Sequence, residues 1–126
     1  MLAIDPRAAV AANNLAWLYA TEGGNLDLAL ELARVAVRQM PQLAVSNDTL
    51  GWVLYKKGLT LEAIPPLELG VGKDPRNPMH RYHLGLAYAR VGEAEHARQA
   101  LTEALRLKSD FEGAADAKRV LASLSR

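Results

Sequence analysis

Arg81-Tyr82-His83-Leu84-Gly85-Leu86-Ala87-Tyr88, with Gly92 and Ala97 after it, is the stretch on which the fold turns. Moved back by 34 residues it meets Asn47-Asp48-Thr49-Leu50-Gly51-Trp52-Val53-Leu54, followed by Gly58 and Ala63. Moved back by 35 more it meets Ala12-Asn13-Asn14-Leu15-Ala16-Trp17-Leu18-Tyr19, followed by Gly23 or Gly24 and then Ala29. Pro6, Pro41, Pro75 and Ser109 keep the same step, at spacings of 35, 34 and 34. A self-similarity of this period is the mark of a repeat architecture. Each recurring position has a physical reading. The small residue beside each leucine lets two helices approach closely, the glycine takes the left-handed conformation that ends a helix, and the proline stops the next one. The expected unit is a helix-turn-helix hairpin that buries its apolar stripe on its neighbour.

Composition agrees. Ala (22) and Leu (21), strong helix formers, far outnumber Val, Ile and Thr together (14), so strands would be hard to build. With 126 residues, one core is expected. Hydrophobic residues at 50% and charged residues at 23% are those of a globular chain, not a disordered one. A net charge of +1 argues against a strongly basic nucleic-acid binder. With no cysteine there is no disulfide framework, thiolate metal site or cysteine nucleophile. No apolar run approaches the ~20 residues that span a bilayer, so no direct membrane insertion is expected of this segment.

The pattern resembles the tetratricopeptide-repeat (TPR) family. Leu15, Ala16, Tyr19, Ala29, Ala36 and Pro41 carry the resemblance in the first repeat, Leu50, Gly51, Gly58, Ala63 and Pro75 in the second, and Leu84, Gly85, Tyr88, Gly92, Ala97 and Ala104 in the third. Ala12, Asn47 and Arg81 stand where the family often has tryptophan, and Ser109 replaces the third proline. The phrases Asn13 to Tyr19, Asp48 to Leu54 and Arg81 to Tyr88 are similar to the C-terminal repeats of bacterial TPR lipoproteins associated with the PEP-CTERM/exosortase system, which implies an exported parent protein. The sequence itself leaves the compartment open. The resemblance implies an all-α, right-handed α-solenoid of about three hairpins, with repeats over 9–43, 44–77 and 78–111 and a capping helix over 112–125. Residues 1–6 read as the remnant of an upstream repeat, whose exposed Leu2 and Ile4 would favour association.

Three local features carry expectations of their own. Ser109-Asp110-Phe111-Glu112 has the spacing of a capping box for the last helix. Pro65 and Pro66, each without a backbone donor, predict a kink or a late start in the second helix of repeat two. His80 and His83, three apart, and Glu93 with His96 fall short of the three or four ligands of a zinc site, so they read as solvated or capping histidines. There is no phosphate loop, nucleophile elbow or metalloprotease motif, and neither catalysis nor a metal or other cofactor is expected.

The resemblance implies that the first helices line a concave groove with Val10, Asn13, Trp17, Ala20 and Thr21, then Val45, Asp48, Trp52, Tyr55 and Lys56, then Met79, Tyr82, Leu86, Ala89 and Arg90. The candidate peptide-binding set is Asn13, Trp17, Asp48, Trp52, Tyr55, Lys56, Tyr82, Leu86 and Arg90. The tryptophans serve equally as packing between hairpins or as anchors for a ligand. Lys56 and Arg90 form a basic rim or are simply solvated. The carboxylate clamp of some TPR domains is absent, its positions being filled by Asn13, Trp17, Trp52, Met79 and His83. The expected function is a non-catalytic module binding a protein or peptide segment, with Trp52→Ala losing the partner while the helices remain. The alternative is a structural or self-associating segment of a longer array. An RNA-binding repeat is disfavoured by the near-neutral charge.

Overall fold

The computed structural model describes residues 6–124. Among them the chain forms α1 (Pro6–Glu22), α2 (Leu26–Gln39), α3 (Ala44–Lys56), α4 (Thr60–Lys73), α5 (Pro78–Arg90), α6 (Ala94–Leu107) and α7 (Ala114–Leu124). Consecutive helices pair as the hairpins α1/α2, α3/α4 and α5/α6, and α7 packs on α6 and α5. The first helices also touch in a row, α1 on α3, α3 on α5 and α5 on α7, so they share one wall. The supposed upstream remnant, with Leu2 and Ile4, lies outside the described residues apart from Pro6. That proline opens α1. A first-turn proline loses no helical bond, because its N–H would have no intrahelical partner.

The three hairpin turns are built alike. Gly23, Gly58 and Gly92 take φ of 76°, 87° and 86°. The next N–H in each case reaches back five residues, Gly24 to the Tyr19 carbonyl at 2.7 Å, Leu59 to Leu54 at 2.9 Å and Glu93 to Tyr88 at 2.9 Å. This is the Schellman arrangement, which satisfies carbonyls that the end of a helix would leave open. The departures from the family tryptophan have a local use. Asn47 Nδ2 donates to the Pro41 carbonyl at 3.0 Å, and Arg81 Nε donates to the Pro75 carbonyl at 2.9 Å, tying each first helix to the turn before it.

Inside the second and third hairpins a glycine faces a fully buried leucine. A Cβ on Gly51 would lie 2.4 Å from Leu67 Cγ, and one on Gly85 would lie 2.6 Å from Leu101 Cγ. Leu67 and Leu101 are 0% exposed. The first hairpin solves the same packing with Ala16 and Ala33, also fully buried. A large residue on one helix is matched by a glycine on the other, and where neither is large both are alanine.

Two expectations need correction. α4 begins at Thr60 and continues through Pro65 and Pro66 to Lys73, so no late start occurs. The carbonyls deprived of a donor belong to Leu61 and Glu62, both exposed residues whose carbonyls water can satisfy. The capping box does not form either. α7 starts only at Ala114, beyond both Ser109 and Glu112. A ring displaces it: a Cβ on Gly113 would lie 2.5 Å from Tyr82 Cε2, so the chain passes Tyr82 as a tight non-helical turn.

The Tyr82 hydroxyl donates to Asp116 Oδ2 at 2.6 Å, and the Tyr82 ring meets Phe111 edge-on at 5.6 Å, which docks α7. Burial opposes ionisation of Asp116. The Tyr82 and Arg119 hydrogen bonds and the Arg119 charge outweigh it and hold this carboxyl below its usual range. Such a group contributes stability above its unfolded pKa and loses it as pH falls through the lower folded value. The difference in urea midpoint between the wild type and Asp116→Asn is therefore expected to be largest at neutral pH and to shrink below about pH 4. A difference independent of pH would contradict this role.

Candidate functional site

α1, α3 and α5 present one turn each to a common groove, and the loop between α6 and α7 closes one side with Glu112 and Gly113. Two adjoining cavities occupy it, of about 270 Å³ and about 150 Å³. They share Trp17, Met79, His83 and Glu112. Asn13, Val45, Asp48 and His80 are among the residues that line only the larger, and Thr21, Trp52 and Tyr82 among those that line only the smaller. Of the candidate binding set, the structure thus brings Asn13, Trp17, Asp48, Trp52 and Tyr82 to these cavities.

The floor of the groove is a chain of rings. Trp52 stacks on Tyr55 at 5.3 Å and on His83 at 4.2 Å, and Trp17 tilts against both Trp52 and His83, at 6.0 and 5.4 Å. Trp52 is 8% exposed and belongs to the core, whereas Trp17 is only half-buried. Trp52→Ala is therefore a core truncation. It is expected to cost about 3–5 kcal/mol of stability, so a lost partner in this variant would not by itself report on the groove. Leu86 also belongs to the core. Lys56 lies over the Trp52 ring at 5.0 Å, and Arg90 lies 3.7 Å over Tyr55 while donating to its backbone carbonyl at 3.1 Å. Neither lines the two cavities.

The histidines are the largest departure from the sequence reading. His83 is 1% exposed and His80 is buried, so neither is solvated. His83 Nδ1 lies 2.8 Å from Asp48 Oδ2, inside the protein. A carboxylate only accepts, so the bond to it puts a proton on Nδ1, and Nε2 accepts in the neutral ring or donates in the charged one. His96 alone stays exposed, within reach of Glu93 and stacked on Tyr88.

Five buried side-chain atoms have no hydrogen-bond partner among the described residues: Asn13 Oδ1, Asp48 Oδ1, Trp52 Nε1, His80 Nδ1 and His83 Nε2. All five belong to residues lining the groove. Buried polar atoms are rarely left in this state, at about 1–3 kcal/mol each. Among the described residues no three His, Asp or Glu side chains converge as a bound cation would require. Among the described residues no hydroxyl is hydrogen-bonded to His83 Nε2.

No protein-family model and no curated protein matches the chain. Solved structures do. The first TPR domain of human RPAP3 superposes with a TM-score of 0.80 at 17% identity, over 96% of this chain and 98% of that one. PcrH, solved with the chaperone binding region of PopD, gives 0.84 at 18% identity over 99% and 97%. The TPR2B domain of yeast Sti1, solved in a pHsp70 complex, gives 0.83 at 19% identity over 94% and 97%. The chain has the tetratricopeptide-repeat fold. Within the TPR fold, two features of the groove escaped the sequence reading. Asp48 and His83 are 35 apart, one repeat and one residue, a spacing that sets them across the α3–α5 seam. Glu112 had been assigned to a helix cap. No helix of the described residues is long and apolar enough to cross a membrane.

Proposed function

We propose that this TPR domain is a non-catalytic binding module whose groove receives an extended or helical segment of another protein. The observation that carries the reading is the convergence of five unpaired buried polar atoms with a half-buried tryptophan in one groove. A peptide offers what that surface lacks, alternating donors and acceptors on a backbone and side chains to cover Trp17. The structural neighbours support it: the first TPR of RPAP3 is seen bound to the HSP90 peptide SRMEEVD, and PcrH to a region of PopD. The test is selection of random dodecapeptides displayed on phage. Selected peptides should lose binding to Val45→Trp, which adds bulk to the groove wall from a half-exposed position, and to Trp17→Ala, both variants keeping the wild-type circular dichroism. Peptides that bind these variants as well as the wild type would overturn the reading.

One observation favours a second reading, a segment that docks on other helical hairpins. On α3 and α5, Val53 and Ala87 are fully buried where the preceding hairpin covers them. The corresponding Leu18 of α1 is 48% exposed, and Leu15 beside it 39%. If this face docks a second copy, sedimentation at high concentration should show a dimer that Leu18→Glu dissolves; a strict monomer would count against it.

A further inference from the structure

We propose that the bound segment is anchored by a basic side chain, lysine or arginine, seated in the smaller cavity beside Trp17, Trp52 and Tyr82 and facing the Glu112 carboxylate. The inference rests on the peptide-binding reading and names the chemistry of its partner. Three independent features point the same way.

The first is charge. The two cavities are lined by two carboxylates, Asp48 and Glu112, and by no lysine or arginine. Glu112 is exposed and makes no hydrogen bond or ion pair among the described residues, while Asp48 has one oxygen committed to His83 and the other unpaired. The second is the balance of donors and acceptors. Asn13 Oδ1 and Asp48 Oδ1, which line the adjoining larger cavity, are acceptors without a donor on residues more than nine-tenths buried, against a single certain donor, Trp52 Nε1. An ammonium or guanidinium group consists only of donors, three or five of them. A carboxylate would find one donor there and two like charges.

The third is the ring surface. Aromatic faces attract cations, most strongly when water is excluded. This stack already does so with the chain's own side chains, Lys56 over Trp52 and Arg90 over Tyr55, at the end away from Glu112. Trp17, Trp52 and Tyr82 also line the smaller cavity, and no lysine or arginine of the chain does. The groove therefore selects against acidic ligands of the SRMEEVD kind, which the structurally similar RPAP3 domain binds.

The dodecapeptides selected above serve as probes, measured by fluorescence titration. A single aligned Lys or Arg should recur among them, and its replacement by norleucine or glutamine should weaken binding at least tenfold. Glu112→Lys should weaken it at least tenfold and Glu112→Gln by severalfold. Glu31→Lys, the same charge change on an exposed residue of α2 outside both cavities, should leave it unchanged. Groove-dependent peptides with an acidic or apolar anchor, indifferent to Glu112→Lys, would overturn this inference and leave the groove reading standing. Equal losses in Glu112→Lys and Glu31→Lys would reduce it to nonspecific charge attraction and overturn it. Peptides indifferent to Val45→Trp and Trp17→Ala, or no selected peptides at all, would count against both.

Discussion

Leu101→Ala is expected to destabilise the domain by about 2–5 kcal/mol, a substantial part of the ~5–15 kcal/mol that a domain of this kind possesses. Leu101 is fully buried, and its Cγ occupies the space that a side chain on Gly85 would need. Gly85→Ala alone should cost about 1–3 kcal/mol, because the added methyl would lie 2.6 Å from Leu101 in a packed interior. Combined, the two substitutions should cost less than their sum. The new methyl enters the space the leucine leaves, and the pair then matches the Ala16 and Ala33 that close the first hairpin. Gly51 and Leu67 should behave in the same way one repeat earlier. Urea unfolding followed by far-ultraviolet circular dichroism measures all four cycle members. A double variant whose loss equals the sum would show that the two positions do not share a volume.

His83→Ala is expected to cost about 3–5 kcal/mol for a different reason. Asp48 would be left inside the protein with neither oxygen receiving a donor, since Oδ1 has none already. A gap would also open beside Trp52, whose ring now stacks on the imidazole at 4.2 Å. Asp48→Ala together with His83→Ala removes the buried carboxyl as well, so the double variant should be more stable than His83→Ala alone. Unfolding midpoints decide this. Tryptophan fluorescence should shift to the red in His83→Ala as water reaches Trp52. A double variant less stable than His83→Ala would mean that Asp48 stabilises α3 by itself.

The two predictions differ in how visible they were beforehand. Gly51 and Gly85 stood out in the repeat, each beside a leucine and each 34 residues from its counterpart, and the close approach of helices followed from their size alone. The Leu67 and Leu101 partners were not evident, because one leucine among 21 carries no mark of which helix it will face. Asp48 and His83 were legible only as polar residues on first helices. Their burial arises because α3 is flanked by α1 on one side and α5 on the other, and residues 35 apart meet across the α3–α5 seam. Trp17 and Trp52 hold the same repeat position yet differ in exposure for the same reason: Trp52 has a helix on both sides, and Trp17 does not.

The sequence by itself determined the hairpins, their 34-residue step, the glycine turns and the helical class, because these follow from local chemistry repeated at a fixed period. Tertiary structure alone decided that Pro65 and Pro66 sit inside a helix, that Gly113 and not Ser109 marks the approach to α7, and that Glu112 faces the groove. The missing α4 bonds fall among exposed residues, and the α6–α7 loop is shaped by the Tyr82 ring packing against Gly113. The first depends on which face of α4 is left to solvent and the second on residues that meet across about 30 positions of chain, and no local pattern encodes either.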